Sequence, residues 1–138
     1  MADTSATRLK PRPLSPHLQV YKPMLTMMMS IVHRITGAGL YAGTVLLAWW
    51  LVAAAMGPSS YGTFEAFIGS IVGRLILFGY TWALLHHMLG GIRHLIWDLG
   101  YGLEPAEREY LTAATLIVSI GLTLTLWAVG YLAMGGPR

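Results

Sequence analysis

The chain has 138 residues, of which 55% are hydrophobic and 11% are charged, with a formal net charge of +3 and no cysteine. A soluble domain of this size would not bury so many apolar side chains, and the lack of cysteine excludes disulfides, thiolate metal ligands and iron–sulfur ligation by this chain. Any redox centre must therefore be held by histidine. The positive charge is interpreted as a signal of membrane orientation, so nucleic-acid binding is not expected.

The first 25 residues are predicted to form a polar N-terminal arm, followed by a membrane domain over residues 26–138. The arm is interrupted by Pro11, Pro13 and Pro16 and shows no periodicity. It lacks the apolar core of a signal peptide and the amphipathic arginine helix of a typical transit peptide. This composition favours a bacterial inner membrane over a mitochondrial one.

Three stretches are apolar enough to cross a bilayer, which takes roughly 20 mostly apolar residues. They cover residues 36–56, 75–92 and 110–134, with connections at 57–63 and 98–109. Gly100, Gly102 and Pro105 are expected to end the second helix before the third begins. Because short connections make successive helices antiparallel, the sequence predicts an all-α membrane protein with three transmembrane helices.

Lysine and arginine residues set the expected orientation of these helices. The N-terminal side of the first helix and the connection before the third helix carry Arg8, Lys10, Arg12, Lys22, Arg34, Arg93 and Arg108. The opposite side carries only Arg74 and Arg138. This distribution predicts a cytoplasmic N-terminus and a periplasmic C-terminus.

The second helix contains the segment HHMLGGIRHLIWD from His86 onward, which is unusually polar for an apolar stretch. Helix positions seven apart return to nearly the same face, so His87, His94 and Asp98 share one stripe. His86 and Arg93 share the adjacent stripe. If Arg93 marks the inner membrane surface, His87 lies about 9 Å deeper. A histidine at that depth is a functional candidate, and a histidine hydrogen-bonded between helices is an equally common alternative.

The glycines within this segment allow a close approach from outside the helix. Gly90 and Gly91 lie one turn from the histidines and leave room for a flat bulky group or for another backbone. Taken alone, they favour an ordinary helix-packing contact.

The first helix carries a matching polar group in the segment SIVHRITGAG. Ser30 and Arg34 are four residues apart and therefore neighbours on one face, with His33 beside them. Together with His94 and Asp98 they form a polar cluster at one depth. Arginines near a membrane surface are explained as snorkelling anchors, but that explanation leaves the serine, the histidines and the aspartate unexplained.

Such a cluster suits a haem and a quinone. A b-type haem needs a neutral imidazole at the iron, polar or cationic groups at its propionates and an apolar slot. His87 is the deep ligand candidate, with His33, Arg34 and His94 at the rim. Ser30 and Arg34 offer hydrogen-bond donors to the carbonyl oxygens of a quinone. The third helix has no histidine, so a second haem ligand would come from another subunit.

The runs RPLSPHLQVYKP, SIVHRITG and HHMLGGIRHLIWDLGY resemble the cytochrome b membrane-anchor subunit of succinate dehydrogenase, respiratory complex II. The motifs S-x-x-H-R-x-[TS]-G and H-x6-H-x3-D occur in order, and the likeness covers nearly the whole chain. The resemblance implies that His87 is the axial haem ligand, with His86 as the alternative if the helix rotates by one residue.

The same resemblance assigns roles to the rim residues. It implies that Ser30 and Arg34 contact ubiquinone, and that His33, Arg34 and His94 lie near the haem propionates. Asp98 matches a polar position close to that site.

The resemblance also implies a set of partners. Haem b would be shared with a second membrane-anchor subunit, and electrons would pass from a flavoprotein subunit through an iron–sulfur subunit to ubiquinone. Succinate oxidation itself would belong to the flavoprotein, and residues 12–22 would dock on the iron–sulfur subunit. One alternative is a small proton or metal transport component that uses His86, His87 and His94. Another is a structural anchor without a cofactor.

Overall fold

The computed structural model describes residues 22–135, which form four α-helices. They are α1 (Leu25–Met56), α2 (Pro58–Gly69), α3 (Ile71–Asp98) and α4 (Pro105–Ala133). Three of them, α1, α3 and α4, are long and apolar enough to cross a membrane, which confirms the prediction of an all-α fold with three such helices. Most of the predicted N-terminal arm, residues 1–21, lies outside the described residues.

The helix ends follow the caps that the sequence provides. Gly57, with a φ of 103°, ends α1, and a positive φ is a conformation that glycine adopts without a steric penalty. Ser70 caps α3, since its hydroxyl accepts a hydrogen bond from the backbone N–H of Gly73 at 3.1 Å. Glu104 and Glu107 form a capping box at the start of α4. These caps separate four helices within a short chain.

The connection between α3 and α4 matches its prediction. Gly100 and Gly102 adopt positive φ values of 83° and 71°. The indole N–H of Trp97 donates to the carbonyl of Gly102 at 3.1 Å, which closes the turn. The second long helix therefore ends where the glycines indicate.

Helix α2 is the element that the sequence does not predict. Its first half contains serines and a glycine, which are residues typical of turns. Phe64 and Phe67 lie on one face of α2 and pack against Trp49 of α1, with ring centroids 5.1 and 5.2 Å away. With 12 residues it is about 18 Å long, too short to cross a membrane. The aromatic contacts with α1 therefore stabilise a helix that its local composition does not indicate.

Helices α1 and α3 are antiparallel and approach each other at glycines. Each of three glycines faces an aromatic ring of the opposite helix, so closely that an added Cβ would overlap the ring. From one end to the other, the pairs are His33 with Gly90, Gly37 with His87, and Gly43 with Tyr80. Residue numbers rise along α1 while they fall along α3, which defines the antiparallel arrangement. We call this contact the glycine seam.

Helix α4 packs antiparallel to α3 and also contacts α1, which completes a three-helix bundle. The indole of Trp127 donates to the hydroxyl of Thr81 at 3.3 Å near one end. His86 and Ser119 form a hydrogen bond of 3.2 Å nearer the other end.

The interior of the bundle is lined by small and polar residues, and the large apolar side chains face outward. The buried positions of α4 are Thr112, Thr115, Ser119 and Thr123. Their hydroxyls donate to carbonyls of the preceding turn, so they satisfy themselves within the helix. This pattern is typical of membrane helices, which pack through small residues because lipid is as apolar as leucine.

Candidate functional site

Three histidines meet at the end of the bundle where α1 begins and α3 ends, which we call the histidine end. The rings of His33 and His87 are stacked, with centroids 4.0 Å apart and planes inclined by 3°. The ring of His94 lies 5.6 Å from that of His33, at an angle of 56°. The structure therefore brings together the predicted histidines of both helices.

The hydrogen bonds of His87 define which ring nitrogen carries its proton. Its Nδ1 lies 3.1 Å from the backbone carbonyl oxygen of His33, and this oxygen accepts hydrogen bonds but does not donate them. Nδ1 must therefore carry the hydrogen in the neutral ring, which leaves the lone pair on Nε2. Within the described residues, Nε2 has no hydrogen-bond partner.

Thr36 and His87 both form hydrogen bonds to the backbone carbonyl of His33. Its hydroxyl donates to the oxygen of His33 at 2.9 Å and lies 3.4 Å from Nδ1 of His87. Thr36 is 3% exposed, so this contact is shielded from the surroundings. His87 is thus held at its Nδ1 side by one carbonyl and one hydroxyl of α1.

Glycines on both helices make room for these rings. A Cβ on Gly37 would lie 2.9 Å from Cε1 of His87, and a Cβ on Gly90 would overlap the ring of His33. Gly90 is thus a helix-packing residue. Gly91 is different, since no described atom lies within 4 Å of the position that its Cβ would take. Gly91 lies on the stripe of His87, so this stripe has open space one turn along the helix.

His86 points to the other side of α3. It is fully buried, and its Nδ1 lies 3.2 Å from the hydroxyl oxygen of Ser119 on α4. The hydroxyl of Ser119 already donates to the carbonyl of Leu116, so Nδ1 of His86 is the donor in this contact. Its Nε2 is buried without a partner in the described residues, and the ring stacks on Trp82 with centroids 5.2 Å apart. His86 is therefore a packed interior histidine.

Arg93 is also turned inward. It is 4% exposed, its guanidinium lies 5.1 Å from the ring centre of Trp97, and its Nε and Nη1 lack partners within the described residues. A snorkelling arginine extends its charged end away from the protein interior, whereas the side chain of Arg93 is buried in the bundle. The two predicted stripes of α3 thus separate into an inner one with His86 and Arg93 and an outer one with His87 and His94.

The remaining predicted site residues lie on the outside of the histidine end. Ser30, Arg34, His94 and Asp98 are exposed. Within the described residues, the side chains of Ser30, Arg34 and Asp98 form no hydrogen bond or ion pair. They share a region with His33 and His87, but the chain itself does not join them, and their polar groups remain available to a ligand or a partner.

Sequence reasoning assigns no role to two residues that the structure places against His87. Thr36 and Gly37 are the last two letters of the motif S-x-x-H-R-x-[TS]-G. The motif thus marks both residues in the sequence. The sequence does not show that the glycine seam brings this turn of α1 against His87.

Three membrane-length helices packed as a bundle, with stacked histidines at one end, define a helical, multi-pass membrane protein. The profile of the succinate dehydrogenase/fumarate reductase transmembrane subunit family matches residues 8–129. The chain belongs to this family.

Named relatives agree with the family assignment. The chain is similar to the succinate dehydrogenase cytochrome b556 subunit of Paracoccus denitrificans, with 46% identity over 82% of this chain and 87% of that protein. It is 37% identical to the protein of the same name from Rickettsia prowazekii, over 84% and 90% of the two chains. It is also 37% identical to the mitochondrial succinate dehydrogenase cytochrome b560 subunit of Bos taurus, over 89% and 71%.

Proposed function

We propose that this chain is a membrane-anchor subunit of succinate:quinone oxidoreductase that binds haem b and forms part of the ubiquinone reduction site. The family, the names of the relatives and the three membrane-length helices support this role. The chain does not itself oxidise succinate. It holds the electron-transferring part of the complex in the bilayer and receives electrons from an iron–sulfur subunit.

The observation that carries the haem proposal is the hydrogen bond from Nδ1 of His87 to the carbonyl of His33. Histidines that bind a metal through one nitrogen commonly donate the other N–H to a carbonyl or carboxylate, which fixes the tautomer. His87 is already in that tautomer, with the Nε2 lone pair unengaged. The open space beside Gly91 gives a flat group room on the same stripe. A haem bound there would accept and release one electron at a time.

His86 fits the ligand role less well. Its Nε2 also has a lone pair, but the side chain is fully buried against α4 and stacks on Trp82. A flat macrocycle would have to displace α4 to reach it. The two adjacent histidines therefore have separate roles, with His87 at the iron and His86 in helix packing.

His33 and the exposed residues of the histidine end form the rim. His33, Arg34 and His94 supply cationic or hydrogen-bonding groups for haem propionates. Ser30 and Arg34 supply donors for a carbonyl oxygen of ubiquinone, and Asp98 provides a polar group beside them. The lack of partners for Ser30, Arg34 and Asp98 within the described residues supports a role toward a ligand.

The subunit works within an assembly. Among the described residues, His87 is the one histidine in a ligand position, so a second membrane-anchor subunit would supply the other histidine. The flavoprotein passes electrons to the iron–sulfur subunit, which docks at the histidine end. The complex lies in a bacterial inner membrane, with this end toward the cytoplasm. The charge distribution supports that orientation, since Lys22, Arg34, Arg93 and Arg108 lie toward the histidine end and Arg74 at the other end.

The test compares two adjacent substitutions in the purified complex, His87→Gln and His86→Gln. His87→Gln is expected to abolish or shift the haem band in a dithionite-reduced minus oxidised spectrum, because it removes the iron ligand. His86→Gln keeps an amide to pair with Ser119 and is expected to leave the band unchanged.

A normal haem band after His87→Gln would overturn the ligand assignment. An intact complex without haem in the unsubstituted protein would leave only the anchor and quinone roles. A chain that copurifies with neither haem nor partner subunits would favour the transport alternative.

A further inference from the structure

We propose that the hydroxyl of Thr36 sets the reduction potential of the haem by competing with His87 for the backbone carbonyl of His33. This inference rests on the proposed function and goes beyond it, since it assigns a positioning role to a residue that touches neither iron nor quinone.

The carbonyl of His33 has more donors than lone pairs. A carbonyl oxygen has two lone pairs. It receives the Thr36 hydroxyl at 2.9 Å and Nδ1–H of His87 at 3.1 Å. Residue 33 lies within α1, so its carbonyl also faces the amide of Gly37 one helical turn later. The three donors therefore share one acceptor, and removing one strengthens the bonds to the others.

The strength of the bond at Nδ1 controls the ligand at Nε2. A stronger acceptor draws the Nδ1 proton away and makes the imidazole a more basic ligand. A more basic ligand stabilises oxidised iron relative to reduced iron, which lowers the reduction potential. The Thr36 oxygen is also a possible acceptor for this proton, but at 3.4 Å it is farther from Nδ1 than the carbonyl at 3.1 Å. The main effect of the hydroxyl is therefore to weaken the carbonyl as an acceptor, which keeps the potential higher.

The hydrogen bond between Nδ1 of His87 and the His33 carbonyl lies in a shielded position, where one neighbouring hydroxyl can change its strength. Thr36 is 3% exposed, and the face of the His87 ring is covered by His33 at a centroid distance of 4.0 Å. Water has little access to a hydrogen bond in this position, so the carbonyl and the hydroxyl decide its strength. Gly37 holds the ring close to α1, since a Cβ there would lie 2.9 Å from Cε1 of His87.

The chain contains a matched control on the same helix. Thr44 also donates its hydroxyl to the carbonyl three residues before it, that of Tyr41, at 2.6 Å. Its hydrogen bond is exposed and it has no contact with a histidine. Thr44→Val therefore removes the same type of hydrogen bond from α1 without affecting His87.

The experiment is a redox titration of the haem in the complete purified complex, carrying Thr36→Val, Thr36→Ser or Thr44→Val. Thr36→Val keeps the shape and removes the hydroxyl. It is expected to retain the haem band and to lower the ratio of reduced to oxidised haem about threefold at a fixed ambient potential. For a one-electron couple this corresponds to a shift of about 30 mV to a more negative midpoint. Thr36→Ser and Thr44→Val are expected to match the unsubstituted complex.

The results for Thr36→Val test the role of Thr36, and the haem content of the unsubstituted complex tests the proposed function. An unchanged midpoint in Thr36→Val, or the same shift in Thr44→Val, would overturn the role of Thr36 and leave the haem assignment standing. An unsubstituted complex without haem would overturn both. If Thr36→Val lowers haem occupancy, the midpoint is measured on the haem that remains, because a potential does not depend on the bound fraction.

Discussion

At the scale of single residues, the site depends on which side of α3 a polar group faces. His86 and His87 are neighbours in sequence, but consecutive helix positions differ by about 100°. One donates to Ser119 inside the bundle and the other to the His33 carbonyl on α1. Identical side chains therefore acquire different hydrogen-bond partners because they face different helices.

Two of the arginines at the histidine end, Arg34 and Arg93, also differ in the direction they face. Arg93 is buried, with two nitrogen atoms unpartnered among the described residues, whereas Arg34 is exposed. Arg93 is 4% exposed, so its charged group is turned into the bundle although it lies near the end of α3. The side chain of Arg34 is exposed, so a ligand can reach it.

Arg34→Ala is expected to reduce quinone reductase turnover at least tenfold. Arginine keeps its charge when desolvated, so it stabilises negative charge on a quinone oxygen as electrons arrive. The activity with an artificial dye that accepts electrons before the quinone site is expected to stay within twofold. Both rates are measured on the same purified complex.

The control for this prediction is Arg108→Ala, which removes an exposed arginine near the start of α4 at the same end of the bundle. It is expected to leave both rates unchanged. Equal loss of both activities in Arg34→Ala would indicate failed assembly and would contradict a specific role at the quinone.

At the scale of helices, the glycine seam determines the site geometry. Gly37, Gly43 and Gly90 allow the backbones of α1 and α3 to approach closely, and the rings of His33, Tyr80 and His87 fill the spaces. Large apolar side chains do not hold these helices together, since they face outward. Dispersion contacts and a few interhelical hydrogen bonds hold the bundle instead, each hydrogen bond contributing about 0.6 kcal/mol.

Gly43→Ala is expected to destabilise the complex, because a Cβ there would overlap the ring of Tyr80. Overpacking of a tight contact costs about 1–3 kcal/mol. The measurement is the temperature at which half of the detergent-solubilised complex loses its haem band, which is expected to fall by several degrees.

Gly39→Ala is the matched control on the same helix, since no described atom lies within 4 Å of its Cβ position. Its midpoint temperature is expected to equal that of the unsubstituted complex. Equal stability of the two variants would show that the α1–α3 contact is looser than the structure has it.

At the scale of the whole molecule, the two ends of the bundle differ in their charged residues and in the helix ends that form them. The histidine end contains the N-terminus of α1, the C-terminus of α3 and the start of α4, with most of the described lysines and arginines. The other end contains α2 and Arg74. The positive-inside rule then predicts that the histidine end lies in the cytoplasm.

This orientation is testable with single cysteines, because the native chain has none. A cysteine at Glu65 in α2 is expected to react with a membrane-impermeant maleimide in intact spheroplasts. A cysteine at Tyr101, which is 70% exposed between α3 and α4, is expected to react only after detergent permeabilisation. The reverse pattern would place the histidine end outside and would remove the proposed access to the iron–sulfur subunit.

The sequence by itself determined the long helices and which polar residues share a helix face. Apolar length is a local property of the chain, so the three membrane-length helices were readable without any contact between them. The spacing of His87, His94 and Asp98 was equally readable, since helical periodicity assigns residues to a common face. Gly100 and Gly102 marked the end of α3 for a similar local reason.

Only the tertiary structure decided what each of these residues touches. Helix α2 depends on the contact of Phe64 and Phe67 with Trp49, which local composition does not encode. The inward position of Arg93 and the link from Thr36 through the His33 carbonyl to His87 arise from the rotation of α3 against α1 and α4. A sequence assigns residues to faces of a helix, whereas the packing of complementary surfaces decides which face meets which neighbour.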